Sequence, residues 1–320
     1  MELRQIQYFI CLYEEGTVTR AARRLNIVQP ALSMQIARLE DEIGRKLFER
    51  SQQGMRPTAA ARQMYRTFLP IMRDFTHARD QLLRTDGELK GHVNVGMIAS
   101  IAQGVLSDAI EEFAAQHAKV TITVTDGYSA TLGDLVAGGQ LDAAFINKPR
   151  RPLSLAVEHI VDEDLVLVTG SAHAHSLGQT VPLREAAMLN LALPTRQHGL
   201  RGILESFAQA EDIDLSPTYE MDSIVSIIKL VERTAYATLL PRVAVRNRVQ
   251  RGRLRLHEVS APHLFRQVVC VTHPRRALSA EAASFLEVLT RHVRGLSAPL
   301  RQPDTMRGDF PLSNQVAQTR

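Results

Sequence analysis

The chain has 320 residues, of which 45% are hydrophobic and 22% are charged. This length corresponds to about two domains of roughly 150 residues each, and the composition excludes both a peptide-sized scaffold and an intrinsically disordered chain. The net charge is only +4, but ten basic and four acidic residues lie between positions 18 and 66. A short basic region on an otherwise slightly acidic chain indicates a local contact with a polyanion and favours nucleic acid over a membrane surface.

The two cysteines, Cys11 and Cys270, both lie in apolar runs. They can form neither a disulfide framework nor a metal knuckle, and such a chain suits a reducing compartment. The N-terminus lacks the small-residue cleavage site of a signal peptide, and no segment approaches the ~18 uncharged apolar residues of a membrane span. We therefore expect a cytoplasmic protein without membrane contact.

Helical patterns follow one another at the start of the chain. The first helix carries one apolar stripe at spacings of three and four residues, and Gly16 ends it. Thr17 can cap a second helix over Val18–Leu25, and a third helix spans Gln29–Leu39 with Pro30 in its first turn. Two short helices joined by a tight turn predict a helix-turn-helix.

The third helix separates apolar from polar side chains, and its apolar side chains are expected to point inward. The polar face consists of Gln29, Ser33, Gln35 and Arg38. Side chains of these types reach base edges or phosphates in a DNA major groove. We favour DNA binding, and the alternative that the pattern leaves open is an ordinary helical bundle with a solvated polar face.

A polar stretch from Glu49 to Pro57 has one central glycine and ends in a proline. It predicts a small hairpin, which beside a helix-turn-helix forms a wing. A wing would place Arg50 and Arg56 against the DNA backbone or in the minor groove. The alternative is a solvated loop that carries two arginines.

A long helix is predicted from Thr58 to about Thr85. Its apolar residues follow the heptad spacing of a coiled-coil seam: Ala61, Tyr65, Phe68, Met72, Phe75 and Leu82. A free-standing helix with one apolar seam needs a partner, so we expect a homodimer whose two helix-turn-helix units occupy half-sites on one duplex. The alternative is that the seam packs on the second domain of its own chain.

Several of these segments together resemble one known family. They are Gln5-Ile-Gln-Tyr-Phe, Gly16-Thr-Val-Thr-Arg-Ala-Ala-Arg-Arg-Leu, Gln29-Pro-Ala-Leu-Ser, Leu39-Glu and Gly44-Arg-Lys-Leu-Phe-Glu-Arg50. The chain resembles the LysR-type transcriptional regulators, densely over Leu3–Tyr65 and in its later organisation to about Gly295. One departure is Met34, which stands where the family often has a polar or basic residue and which can contact a thymine methyl group.

The resemblance implies a winged helix-turn-helix at residues 1–58, a linker and dimerisation helix at 59–88, and a two-lobed effector domain at 91–295 that is similar to periplasmic binding proteins. It also implies promoter DNA, a small-molecule effector and RNA polymerase as partners, and assembly as a homodimer or homotetramer. The predicted DNA-binding residues are Thr19, Gln29, Pro30, Ser33, Met34, Gln35, Arg38, Arg50 and Arg56. Residues 296–320 are predicted to form a disordered tail.

From Gly91 the pattern changes to short β-branched or apolar runs that alternate with helical stretches. This alternation predicts an α/β fold with a parallel sheet covered on both faces, behind an all-α-type winged helix-turn-helix domain. We expect two lobes, at about 91–164 with 267–295 and at about 165–266. A cleft between them would close through connecting strands near Leu165–Thr169 and Gln267–Thr272.

Ligands of such lobes bind at the carboxyl ends of strands, where loops and helix N-termini offer N–H groups to an anion. Ser100 follows the first strand, directly before its helix, and Asn147 ends the third strand. By resemblance to the family, Ser100, Thr195 and His198 are expected to line the effector cleft, with Asn147 as a further candidate. Donor hydroxyls beside helix N-termini favour a small carboxylate or another anion. The alternative for each residue is a helix cap or a turn position.

The sequence has no Gly-x-Ser-x-Gly, no Gly-rich phosphate loop and no His-Glu-x-x-His motif, and its histidines lack metal-ligand spacing. We therefore predict a regulator that is not an enzyme and that uses no cofactor or metal. The main alternative is a ligand-binding protein whose N-terminal helices serve only dimerisation. RNA binding is disfavoured because the aromatic residues near the basic region lie on apolar stripes and leave no stacking platform.

Overall fold

The computed structural model describes residues 1–52, 54–82, 88–171 and 177–295. Separate hydrophobic cores lie in the N-terminal helices and in each of two lobes in the second half of the chain. The predicted tail, residues 296–320, lies outside the described residues. None of the described helices has an apolar stretch long enough to cross a membrane.

The N-terminal domain is a helical unit followed by a β-hairpin. Its elements are α1 (Leu3–Glu15), α2 (Val18–Arg24), α3 (Gln29–Ile43), β1 (Phe48–Ser51) and β2 (Gly54–Pro57). As predicted, Gly16 ends α1, and the Thr17 hydroxyl caps α2 by accepting a hydrogen bond from the backbone N–H of Arg20. The predicted end of the third helix was wrong. Favourable helix formers carry α3 one turn beyond Leu39, and it stops at Gly44, whose backbone is left-handed (φ 69°).

A long helix, α4 (Ala59–Leu82), follows the hairpin. Its first half packs on α1, where the rings of Tyr13 and Tyr65 stack with their centroids 4.0 Å apart. Its second half leaves part of the predicted seam open, since Phe75 is 45% exposed and Leu82 is 88% exposed. The seam is therefore divided between an internal contact with α1 and a free apolar surface.

The second half forms two α/β lobes that share one strand, β6 (Ala156–Gly170). The other elements of lobe I are β3 (Gly91–Met97), α5 (Ala99–Gln116), β4 (Val120–Asp126), α6 (Ser129–Ala137), β5 (Ala143–Asn147), β12 (Phe265–Thr272) and α11 (Ala280–Arg294). The other elements of lobe II are β7 (Thr180–Pro182), α7 (Leu183–Ala187), β8 (Ala192–Leu193), α8 (Gly199–Ala210), β9 (Tyr219–Glu220), α9 (Ile224–Arg233), β10 (Ala237–Pro241), α10 (Arg242–Gln250) and β11 (Leu254–Ser260).

The sheet of lobe I is mixed. β3 pairs in parallel with β4 and β5, as the alternation of strands and helices predicts. β12 lies between β5 and β6 and is antiparallel to both, and β10 and β11 are antiparallel to β6. The prediction of a wholly parallel sheet was therefore wrong. The chain re-enters lobe I along β12 after completing lobe II, so this strand is not joined to its neighbours by a helical crossover.

β6 is one continuous strand that serves both lobes. Up to Asp164 it pairs with β12, and from Leu165 onward it pairs with β10 and β11. The chain passes between the lobes here and again between β11 and β12. The segments predicted to connect the lobes lie next to these crossings. Leu165–Thr169 is paired with β10 within lobe II, and Gln267–Thr272 is paired with β6 within lobe I.

A buried ion pair lies at this junction. Arg266 on β12 donates to Glu163 on β6 from Nε at 2.9 Å and from Nη2 at 2.6 Å. Its Nη1 donates to Asn147 Oδ1 at 3.2 Å, and the second carboxylate oxygen of Glu163 accepts from the N–H of Val243 at 3.0 Å. Only 1% of Arg266 and 3% of Glu163 is exposed. The network thus ties β5, β6, β12 and α10 together.

We expect Arg266→Ala to lower the free energy of unfolding by about 3–5 kcal/mol, because it leaves the buried Glu163 carboxylate without its cation. Urea unfolding of the full chain measures this change. The control is Arg294→Ala, which removes an exposed arginine from an ion pair with Glu158 (3.2 Å). Such surface pairs contribute about 0–1 kcal/mol. Equal losses in the two variants would contradict a structural role for the buried pair.

Candidate nucleic-acid interface and interlobe cleft

The predicted polar face of α3 lies on the surface of the N-terminal domain. Ser33, Met34 and Arg38 are exposed, whereas the apolar face of the helix is buried in the domain core. Gln35 is half-buried, and its Oε1 accepts a hydrogen bond from Nε2 of Gln5 at 3.4 Å. Because this contact turns Gln35 toward α1, the fully exposed part of the predicted polar face consists of Gln29, Ser33 and Arg38, and Met34 is exposed beside them.

A shallow groove of about 510 Å³ lies at the turn between α2 and α3. The groove is lined by Thr19, Arg23, Gln29, Pro30 and Val28, the last of which is 68% exposed. No side chain caps the N-terminus of α3, and the positive end of its helix dipole favours an anion there. Sequence reasoning missed Arg23 and Val28, since a basic residue in the last turn of α2 and an apolar residue in a turn both have ordinary structural explanations.

The hairpin stands where the wing is predicted, and Arg50 and Arg56 are exposed on its two strands without an ion pair to any described residue. Gly54 holds the hairpin against the turn between α1 and α2. A Cβ at Gly54 would lie 2.5 Å from the carbonyl oxygen of Gly16, and the N–H of Met55 donates to that oxygen at 2.8 Å. Only glycine permits this close approach, which sets the direction of the hairpin.

Glu40, near the end of α3, anchors the start of the hairpin. Its Oε1 accepts from the N–H groups of Leu47 and Phe48 at 2.8 and 3.2 Å, and its Oε2 lies 2.7 Å from Nζ of Lys46. Burial alone would raise the pKa of this carboxyl group, but the lysine and the two N–H groups lower it on balance. The ionised carboxylate therefore connects the end of α3 to the first strand of the hairpin.

Two of the predicted cleft residues lie on lobe I. Ser100 is 1% exposed. It was predicted to stand directly before α5, but α5 begins at Ala99, so Ser100 is the second residue of the helix. Asn147 ends β5 and is 4% exposed. Because β3 and β5 are parallel neighbours, these two residues lie at the same edge of the sheet.

The other two predicted cleft residues lie in the loop before α8 in lobe II. His198 is the N-cap of α8, and its Nδ1 accepts a hydrogen bond from the N–H of Leu200 at 3.2 Å. The hydroxyl of Thr195 donates to the carboxylate of Asp222. Both side chains are thus held in place by contacts within their own lobe.

The two lobes meet directly around these residues. A Cβ on Gly199, the first residue of α8, would lie 3.3 Å from Nδ2 of Asn147 in lobe I. Tyr128 of lobe I lies beside Asp222 of lobe II, and its ring meets that of His198 edge-on with centroids 5.8 Å apart. These contacts join the two lobes beside the predicted cleft.

Of the four predicted cleft residues, the structure gathers three around these contacts: Asn147, Thr195 and His198. Ser100 shares their sheet edge. Sequence reasoning missed Tyr128, Ser129, Asp222 and Arg266. Ser129 accepts a hydrogen bond from the N–H of Asn147 at 3.2 Å, and it was detectable, because a serine at the start of α6 repeats the signal used for Ser100. The others depend on contacts between segments distant in sequence.

The charges around the cleft are largely compensated. Burial, followed by the neighbouring Arg266, lowers the pKa of His198 against the opposing effect of Asp222, so the imidazole is neutral at pH 7. Hydrogen bonds from Thr195 and Tyr128 lower the pKa of Asp222 and keep it ionised. α5, α6 and α8 all begin at this edge, and their N-termini add positive potential. Among the described residues, no group of three His, Cys, Asp or Glu side chains is placed to hold a metal ion.

Two family models match the chain. The model for the bacterial regulatory helix-turn-helix protein, lysR family, matches residues 3–62, and the model for the LysR substrate binding domain matches residues 86–294. The chain belongs to the LysR family. It is a LysR-type DNA-binding transcriptional regulator with a substrate-binding effector domain, which confirms the resemblance in its sequence.

LysR-family regulators of known name share this organisation along nearly their whole length. The nitrogen assimilation regulatory protein nac of Klebsiella aerogenes is 27% identical over 290 residues, which cover 90% of this chain and 94% of that protein. The HTH-type transcriptional regulator CzcR of Bacillus subtilis (strain 168) is 23% identical over 292 residues, which cover 91% and 98%. These relatives are transcriptional regulators rather than enzymes.

Solved LysR-type structures have the same fold. A full-length variant of OxyR from Pseudomonas aeruginosa superposes with a TM-score of 0.74 at 23% identity, and the match covers 95% of this chain and 98% of that one. Full-length CbnR in complex with its target DNA superposes with a TM-score of 0.66 at 19% identity, covering 92% and 100%. At sequence identities this low, the structural similarity establishes that the chains share a fold.

We expect Glu40→Gln to lower the melting temperature of this LysR-type chain at pH 7 and to have less effect near pH 3. The lowered pKa of Glu40 means that its ionised form stabilises the fold above about pH 4.5, the ordinary value, and that this contribution is lost as the pH falls through the folded pKa. Thermal unfolding followed by circular dichroism from pH 7 to pH 3 measures the difference. The control is Asp41→Asn at the exposed neighbouring position; a loss for Glu40→Gln that does not depend on pH would contradict the assigned role.

Proposed function

We propose that this LysR-type regulator binds promoter DNA through α3 and the wing, and that a small anionic molecule in the interlobe cleft modulates that binding or the activation that follows. The observation that carries the DNA-binding part is the exposed basic surface of the matched helix-turn-helix domain. Arg38, Arg50 and Arg56 lie exposed on it, and none is paired with a described acidic residue.

The chemistry of each side chain on this surface indicates whether it contacts bases or the DNA backbone. Ser33 and Gln29 carry polar groups that hydrogen-bond to base edges, and Met34 offers an apolar contact to a thymine methyl group. Thr19 and Pro30 flank the N-terminus of α3, whose positive dipole end suits a phosphate group. The wing arginines extend the basic surface to the adjacent backbone or minor groove.

Dimerisation supports this function. The second half of α4 exposes apolar side chains at Ile71, Phe75 and Leu82. Such a surface on a helix is stabilised by a matching helix from a second copy. A homodimer, or a homotetramer built from two of them, would present pairs of reading surfaces to half-sites on one duplex. A regulator of promoter DNA acts where the chromosome is, which in a bacterium is the cytoplasm.

The cleft suits a small anion because it joins neutral hydrogen-bond donors to positive helix ends. Ser100 supplies a hydroxyl group and Asn147 supplies an amide, while α5, α6 and α8 begin at the same edge. The hydroxyl of Thr195 would donate to the ligand in place of its present acceptor, Asp222. The carboxylate of Asp222 is ionised, so it would favour a ligand that also carries a hydroxyl or amino group. We propose that the effector changes the pose of the two lobes and so alters DNA bending or the contact with RNA polymerase.

The test of DNA binding is to sequence the genomic fragments that the purified protein retains near physiological salt. We expect a few interrupted palindromes. On one such fragment Arg38→Ala should weaken binding, and if Arg38 contacts a phosphate, the slope of log affinity against log salt should fall by about one. The matched control is Arg255→Ala, which removes an exposed positive charge from lobe II and should leave both the affinity and the slope unchanged.

Weak DNA retention that does not depend on salt, with no enriched sequence, would overturn this proposal and favour a ligand-binding protein whose N-terminal helices only dimerise. An unchanged affinity for Arg38→Ala together with enriched palindromes would remove only that residue from the interface.

The effector site is tested by isothermal titration of the full chain with a panel of small carboxylates and their neutral amide analogues. We expect carboxylates alone to bind, and Thr195→Val to weaken the best of them about threefold to tenfold through the loss of one hydrogen bond. The control is Thr180→Val at an exposed position of β7, outside the cleft. Binding of the amides alone would refute the anionic class, and equal effects of the two variants would refute the site.

A further inference from the structure

One helix of lobe I touches the interlobe cleft at one end and the linker helix α4 at the other. α6 has nine residues and is therefore about 13 Å long. It begins at Ser129, whose hydroxyl accepts from the N–H of Asn147, and directly before it stands Tyr128, whose ring contacts that of His198 of lobe II. Any change in the closure of the cleft therefore acts on the first turn of α6.

The other end of α6 is held by an arginine of α4. Nη1 of Arg73 donates to the carbonyl oxygen of Gly139 at 3.1 Å and also to that of Gln140. These carbonyls belong to the loop after α6 and lie two and three residues beyond Ala137, the last residue of the helix. Beside this contact, Nε of Arg276 lies 3.5 Å from the Asp74 carboxylate of α4. A side chain of the linker helix thus binds the loop at the C-terminal end of a helix of the effector domain.

The contact is close enough to require a glycine. Gly139 has a left-handed backbone (φ +66°), and a Cβ at this position would lie 2.7 Å from Cβ of Pro70 on α4 and would overlap the guanidinium of Arg276. The backbone after α6 is therefore in direct contact with the middle of α4. A displacement of α6 by a fraction of an ångström is transmitted to α4 by contact or breaks the bonds from Arg73.

The packing between the DNA-binding domain and lobe I is incomplete next to this contact, so few other contacts fix their relative position. A cavity of about 620 Å³ separates α1 and α4 from lobe I, between Ile10 and Met72 on one side and His92 and Leu278 on the other. Since little else fills this space, the position of the DNA-binding domain on the effector domain depends strongly on the few groups around Gly139.

We propose that α6 carries the state of the interlobe cleft to the DNA-binding domain, and that Arg73 is the positioning residue that couples the two. The inference rests on the proposed function of the cleft and adds the route by which it acts. An anion at the N-terminus of α6 and a guanidinium near its C-terminus both interact favourably with the helix dipole. When α6 moves, the hydrogen bonds from Arg73 move α4 with it.

The test uses the full chain without DNA or effector, and opens the mouth of the cleft by Asp222→Ala. This change removes the acceptor of the Thr195 hydroxyl and the carboxylate beside Tyr128, at an exposed position. Hydrogen exchange of the backbone amides is measured by mass spectrometry on peptides covering residues 66–76 of α4. We expect Asp222→Ala to speed exchange there about fivefold in the wild-type background, a typical size for coupling between sites.

In the Arg73→Gln background, exchange in α4 should already be fast, and Asp222→Ala should add nothing. The matched control is Arg184→Gln. Arg184 donates to the carbonyl oxygen of Glu211 at the end of α8, a helix that also begins at the cleft but is capped from within its own lobe. With Arg184→Gln, exchange at the end of α8 should rise while the effect of Asp222→Ala on α4 stays intact.

A second variant keeps the test decisive if Arg73→Gln proves too unstable. Arg73→Lys retains the charge but not the forked pair of donors, so the effect of Asp222→Ala on α4 should be smaller than in the wild type. The proposal is overturned if Asp222→Ala leaves α4 unchanged in the wild type, or if its effect is equally large in both Arg73 variants. The exchange test needs neither DNA nor effector. If Asp222→Ala changes exchange in α4 as expected but the titration finds no anion that binds, only the proposed class of effector is refuted.

Discussion

The buried ion pair between Arg266 and Glu163 is the contact on which the two-lobed effector domain depends. A charge buried this deeply is tolerated only when all of its hydrogen-bonding groups are satisfied, so the elements that supply the partners are held in a fixed relation. Here those elements are the shared strand β6, the strand β12 on which the chain returns to lobe I, the end of β5 and the start of α10. Through Asn147 and His198 the same guanidinium influences the cleft, which makes the scaffold and the binding surface one electrostatic unit.

Local rules explain why so much of the N-terminal domain could be predicted from its sequence. Helix ends are set by residues within one turn, such as Thr17 and Pro30, and these lie where the capping rules place them. The anchoring of the wing by Glu40 and the antiparallel insertion of β12 were not predictable in this way. Each depends on a partner that the chain reaches only after a turn or a whole lobe, and no local pattern specifies that partner.

The same distinction applies to the candidate cleft. Four cleft residues could be predicted because strand ends and helix starts are visible in the sequence: Ser100, Asn147, Thr195 and His198. Tyr128 and Asp222 were missed because each gains its significance from a residue in the opposite lobe. One helix and one hairpin carry the predicted reading surface, so local patterns specify most of it. The structure turns Gln35 toward α1 and adds Arg23 and Val28 beside the surface.

The shared strand β6 has a consequence for the folding of the effector domain. Each lobe supplies the sheet neighbours for one half of this strand, and the change of partner occurs between two consecutive residues, Asp164 and Leu165. If one lobe loses its sheet, half of a strand that continues into the sheet of the other lobe is left unpaired. We therefore expect β6 to couple the melting of the two lobes despite their separate cores, and a ligand that bridges them to raise the thermal stability of both.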